Sequence, residues 1–173
     1  MMSLSETVQK RIKEWTASPY GDECINEISK LVSEGNEDEL NERFAVELEF
    51  GTGGLRGIIR NGTNGMNIYV VARATQGLAN YVLKSGEKNP SAAIAFDSRR
   101  FSRDFAMEAA RVLASNGIKT YIFSEMRPTP ELSYAVRTLG CVTGIVITAS
   151  HNPREYNGYK VYWKGGGQIV PPQ

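Results

Sequence analysis

Apolar residues recur at helical spacing through the opening segment of the chain, with Ile12 and Trp15 on one stripe and Ile25, Ile28, Leu31 and Val32 on another. Gly35 and Asn36 stop the second helix, and Glu39 to Ala45 predicts a third before the pattern changes at Leu48. Residues 1–46 read as an N-terminal helical extension, and residues 47–173 as the domain that follows it. In that domain the period switches repeatedly. Leu55 to Ile59, Ala92 to Phe96, Thr120 to Phe123, Val142 to Ile147 and Tyr159 to Trp163 predict strands; Ile68 to Leu83, Phe105 to Ala114 and Pro130 to Leu139 predict helices. Such alternation makes an α/β layered sheet, whose chemistry gathers in loops at strand ends.

Composition narrows the class without adding a site. At 173 residues the chain can bury a substantial core, and 41% apolar with 23% charged residues is ordinary for a soluble protein. A net charge of +1 provides no basic field for nucleic acid, so any anion site must be local. Cys24 and Cys141 lie far apart and outside any Cys-x-x-Cys pattern, which argues against a disulfide framework or a cysteine zinc site. The charge-interrupted N-terminus lacks a signal-peptide core and no apolar run has membrane-spanning length, so the expected location is cytoplasmic, with no membrane partner. In that compartment the acceptor triplet Asn61-Gly62-Thr63 carries no glycan.

Three stretches carry candidate chemistry. After the apolar run Gly144 to Ile147 comes Thr148-Ala149-Ser150-His151-Asn152-Pro153, where small and polar residues end the strand and Asn-Pro forces a turn. That exposes the Ser150 hydroxyl at a sheet edge, beside the chain's one histidine, His151. Lys160, at the start of the next strand, can return an ammonium toward it. A phosphoryl carrier needs this setting, because a phosphoserine bears about −1.5 to −2 charge and requires cations and donors. The competing reading is an ordinary turn with a solvated lysine. A Ser-His-Asp hydrolase is weaker still: the serine and histidine are adjacent and no Gly-x-Ser-x-Gly elbow is present.

The second stretch, Phe50-Gly51-Thr52-Gly53-Gly54-Leu55-Arg56-Gly57, combines amides that an anion can approach with the planar fork of Arg56. It is neither a Walker A loop nor Gly-x-Gly-x-x-Gly, and a structural glycine turn competes with it. The third, Asp97-Ser98-Arg99-Arg100, follows a strand directly; Asp97 can orient an arginine or cap the next helix, and Arg99 or Arg100 can add positive charge. Arg127-Pro128-Thr129-Pro130 and Gly165-Gly166-Gly167 read as connections.

FGTGGLRG, FDSRR and TASHNPREYNGYK, in this order between Phe50 and Lys160, resemble the signature of the α-D-phosphohexomutase superfamily. The form of the first motif, the helical extension and the GGGQIVPP ending resemble its phosphoglucomutase/phosphomannomutase branch. The resemblance implies a layered α/β/α domain with a mixed sheet, the first domain of a longer parent that interconverts hexose 1-phosphate and hexose 6-phosphate through a sugar bisphosphate. It makes Ser150 the phosphoserine, whose phosphate also binds Mg²⁺, and places His151, Asn152 and Lys160 beside it with Lys160 as proton carrier. Arg56 then faces the phosphoserine, and Arg99 falls at a phosphate-binding or support position. The family's aspartate-rich metal loop has no counterpart among Asp22, Asp38, Asp97 and Asp104. The expected partners are therefore a hexose phosphate, a glucose 1,6-bisphosphate-type activator and the remaining domains of the parent, without which the chain should be inactive. A phosphopentomutase of the same superfamily, or a non-catalytic phosphosugar-binding module, are the alternatives.

Overall fold

A computed structural model describes residues 4–51 and 53–169; Thr52 of the glycine loop and the closing Pro171-Pro172-Gln173 lie outside the described residues. Three helices open the chain: α1 (Glu6–Trp15), α2 (Asp22–Ser33) and α3 (Glu37–Phe44). Side-chain oxygens of Ser5 and Asn36 accept the free amides of Val8 and Glu39 at the starts of α1 and α3. On α2 the buried face is Cys24 and Ile28, whereas Val32 is 48% exposed, so the predicted stripe is shifted by part of a turn. Cysteine packs as a small hydrophobe, and hydropathy spacing alone ranked Val32 above it. Burial pushes the Cys24 thiol up to about 11. It also raises that of Cys141, and both cysteines are free.

The rest of the described chain is β1 (Gly54–Ile58), α4 (Ile68–Lys84), β2 (Ser91–Phe96), α5 (Ser102–Ser115), β3 (Lys119–Ile122), α6 (Thr129–Thr138), β4 (Thr143–Ile147) and β5 (Tyr156–Trp163). Its sheet has the order β1-β5-β4-β2-β3, with β4, β2 and β3 parallel and β5 antiparallel to both β4 and β1. The sheet is mixed, as the resemblance implied. Strand β5 begins at Tyr156, three residues before the predicted start, because Asn157 and Gly158 pair with β1 despite their poor strand propensity.

Alternate residues of each strand face opposite layers. Ile94, Ile145, Ile147, Leu55, Tyr159 and Val161 join Val71 of α4 and Phe105 of α5 in one core. Ala93, Ala95, Val146 and Tyr162 meet Leu132 and Val136 of α6 on the other side. The first core continues into the opening helices through Ile28, Leu40, Phe44 and Trp15. There the Trp15 ring stacks on Tyr20 with centroids 4.4 Å apart and meets Tyr69 edge-on at 5.6 Å. Tyr159, fully buried, has its hydroxyl hydrogen-bonded by Thr75 of α4 at 3.0 Å. No helix among the described residues is long and apolar enough to cross a membrane.

Candidate active site

Parallel pairing brings the C-terminal ends of β2 and β4 to one edge of the sheet, and β5 starts from that edge. Thr148 extends the ladder one step, its amide donating to the Gly158 carbonyl at 3.0 Å. The chain then leaves the sheet at Ser150, which adopts a left-handed conformation with φ +57°. This geometry costs a residue with a Cβ about 1–2 kcal/mol, and local bonds hold it. The Ser150 amide donates to Thr148 Oγ1 at 3.0 Å, and the Asn152 amide to the Ala149 carbonyl at 3.1 Å. Ser150 is exposed, and no hydrogen bond among the described residues occupies its hydroxyl. His151, next to it, is exposed as well.

The cations follow from strand register. Arg56 stands opposite Gly158, and Lys160 opposite Gly54 on one side and Val146 on the other. Leu55, Tyr159 and Val161 face the α4/α5 core, so Arg56 and Lys160 face the α6 layer. Helix α6 covers Ala93, Ala95, Val146 and Tyr162, toward the β2 side, and leaves this part of the sheet open, with Arg56 exposed and Lys160 half-buried. Arg56 Nη1 reaches the Ser150 loop, donating to Asn152 Oδ1 at 3.2 Å. Lys160 lies two residues further down the sheet than Gly158, about 7 Å. Gly158 permits the row to close: a Cβ there would lie 2.6 Å from the Thr148 carbonyl oxygen and 3.0 Å from that of Leu55.

Arg99, expected at a phosphate-binding or support position, turns its guanidinium onto the backbone of the Ser150 loop. Its Nη1 donates to the carbonyls of Pro153 (2.8 Å) and Tyr156 (3.0 Å), and its Nη2 to those of Ser150 (2.8 Å) and Asn152 (2.7 Å). Its Nε faces Asp97 Oδ2 at 3.3 Å, so the guanidinium is fully engaged by the loop backbone and one carboxylate. Asp97 therefore orients an arginine, as its position after a strand suggested. Sequence reading missed Ser102 and Asn157: Ser102 Oγ donates to Asp97 Oδ1 at 2.6 Å, and Asn157 Nδ2 donates to Ser102 Oγ at 3.0 Å. No local signal marked them, since Asn157 lies just before the run that predicted the strand.

Among the described residues no three His, Cys, Asp or Glu side chains cluster as a metal would require. The Asp97 carboxylate is already engaged by Arg99 and Ser102. These residues do not form a Mg²⁺ site by themselves.

The family profile described as phosphoglucomutase/phosphomannomutase, alpha/beta/alpha domain I, matches residues 47–173. A human phosphopentomutase is 42% identical over 86% of this chain and 26% of its own length. A phosphoglucomutase of Staphylococcus haemolyticus is 48% identical over 73% of the chain and 23% of its own. The crystal structure of a Thermus thermophilus protein assigned as a phosphomannomutase aligns with a TM-score of 0.68 at 32% identity, covering 73% of this chain and 28% of that one. The chain thus spans about a quarter of the length of the curated relatives it matches.

Proposed function

Because this chain belongs to the phosphoglucomutase/phosphomannomutase family through that family's domain I, we propose that Ser150 is the phosphoryl carrier of a phosphosugar mutase. The observation that carries the reading is the Ser150 hydroxyl, exposed and without a hydrogen bond among the described residues, on a strained turn whose neighbours are Arg56 and the Lys160 row. Phosphoserine loses its phosphoryl group to a sugar hydroxyl: the bond from phosphorus to Ser150 Oγ breaks as one to the sugar oxygen forms. The sugar proton passes by way of Lys160 to Ser150 Oγ. The resulting bisphosphate returns its other phosphoryl group by the reverse steps, so phosphate and proton both balance. Arg56 provides a planar fork for the phosphate oxygens, and His151 and Asn152 flank the serine. Arg99 acts through the loop backbone.

Mg²⁺ and the bisphosphate activator belong to the whole enzyme on this reading, with further ligands and the sugar-selecting groups outside this chain. The expected substrate is a hexose phosphate. A pentose phosphate is the second reading, favoured by 42% identity to a phosphopentomutase.

Ser150→Ala in the full-length enzyme tests the proposal. It creates no cavity and costs about 1 kcal/mol or less in stability, whereas turnover of glucose or ribose phosphate, with bisphosphate supplied, should fall by at least a thousandfold or so. Intact mass should show one phosphate lost from the protein. Sizeable residual turnover, with phosphate on another residue, would defeat the assignment, and a wild-type protein that binds sugar phosphate without ever carrying phosphate would indicate a binding module.

A further inference from the structure

We propose that Asn157 and Ser102 are positioning residues for Ser150, acting through Asp97 and Arg99; their role in turnover rests on the phosphoserine reading. Asn157 is 0% exposed, as is Ser102. Burying such polar groups is costly unless each is paired, and here each is. Asn157 Nδ2 donates to Ser102 Oγ and to the Arg100 carbonyl, both at 3.0 Å, while its Oδ1 accepts from the Gly158 amide at 2.8 Å. Ser102 Oγ donates its own hydrogen bond to Asp97 Oδ1 at 2.6 Å, and Asp97 Oδ1 also accepts from the Arg99 amide at 2.9 Å.

The chain of bonds therefore runs from the first turn of β5 to the start of α5, then to the end of β2, and ends at the Arg99 fork. That fork holds carbonyls on both sides of the loop, those of Ser150 and Tyr156 included. Asn157 sits one residue after Tyr156, so the network closes a ring around the loop. Nothing in it reaches the Ser150 hydroxyl. Its effect is to fix the plane of Arg99, and through it the carbonyl of a residue whose left-handed backbone decides where the hydroxyl points. Removing one member leaves its buried partners half-satisfied, which weakens the rest of the network.

Ser102→Ala and Asp97→Asn in the full-length enzyme test this; the second keeps size and fold should the first disturb packing. Phosphorylation of Ser150 by a glucose bisphosphate should slow by about ten- to a hundredfold, with the KM for sugar phosphate changed less than about twofold. Amide exchange at Ser150 and Asn152 should accelerate while Ile145 to Ile147 stay protected. Adding Asn157→Ala to Ser102→Ala should cost little more than either alone, because both break one chain. An unchanged phosphorylation rate, or faster exchange throughout the sheet, would overturn the proposal. Ser150→Ala, run in parallel, separates the two ideas: if it stays active the phosphoserine reading fails, while the exchange result still decides whether the network holds the loop.

Discussion

Ser150 and Arg56 show how far single residues determine this site. The serine occupies a backbone region that favours glycine, and among the described residues the arginine gives one of its donors, to Asn152 Oδ1. Among the described residues nothing else takes up that guanidinium. Arg56→Lys keeps the charge but loses the fork, so turnover in the full-length enzyme should drop about ten- to a hundredfold while thermal stability stays within about 0.5 kcal/mol, the side chain being exposed. Steady-state kinetics beside a thermal melt would check this, and an equal rate would make the residue structural. The exposure of Ser150 at the sheet edge and the loop that carries Arg56 were legible in the sequence because their signals are local: an apolar run that stops at a hydroxyl, and glycines beside an arginine. The carbonyls that occupy Arg99 were not, since an arginine after a strand reads the same whether it faces an anion or backbone oxygens.

At the scale of elements, the long apolar runs declared their strands and helices, and boundaries moved wherever pairing overrode propensity. The start of β5 is the clearest instance, because Asn157 and Gly158 are strand residues only by virtue of β1, whose register is set about a hundred positions earlier in the chain. The link from Asn157 to Ser102 was hidden for the same reason, as it spans 55 positions. Gly158 gives this pairing a test. Backbone oxygens of β1 and of Thr148 wall it on both sides, so Gly158→Ala must push strands apart and should destabilise by about 2 kcal/mol or more. Gly77 in α4, with nothing within 4 Å of a new Cβ, should instead gain about 0.5–1 kcal/mol on becoming alanine. Denaturant midpoints of the two variants should move in opposite directions.

For the molecule as a whole, the sequence pattern separated an opening helical segment from the α/β layers, yet the contacts run unbroken from Phe44 and Trp15 to Val70 and Leu55. A hydropathy stripe tells which face of a helix is buried but not against what. If the two segments share one core they should unfold in one step. The chain's two tryptophans stand on opposite sides of that question. Trp15 lies in the aromatic stack of the opening helices, and Trp163 leans on Tyr81 with ring centroids 5.2 Å apart at the end of β5. Each is thus a built-in fluorophore for its own segment, quenched or shifted when its packing is lost. Variants W15F and W163F leave one emitter each, and their denaturation curves, corrected for the small stability change of each substitution, should coincide. A Trp15 signal that fades at clearly lower denaturant would mean that the helical segment peels away while the sheet still glows as folded.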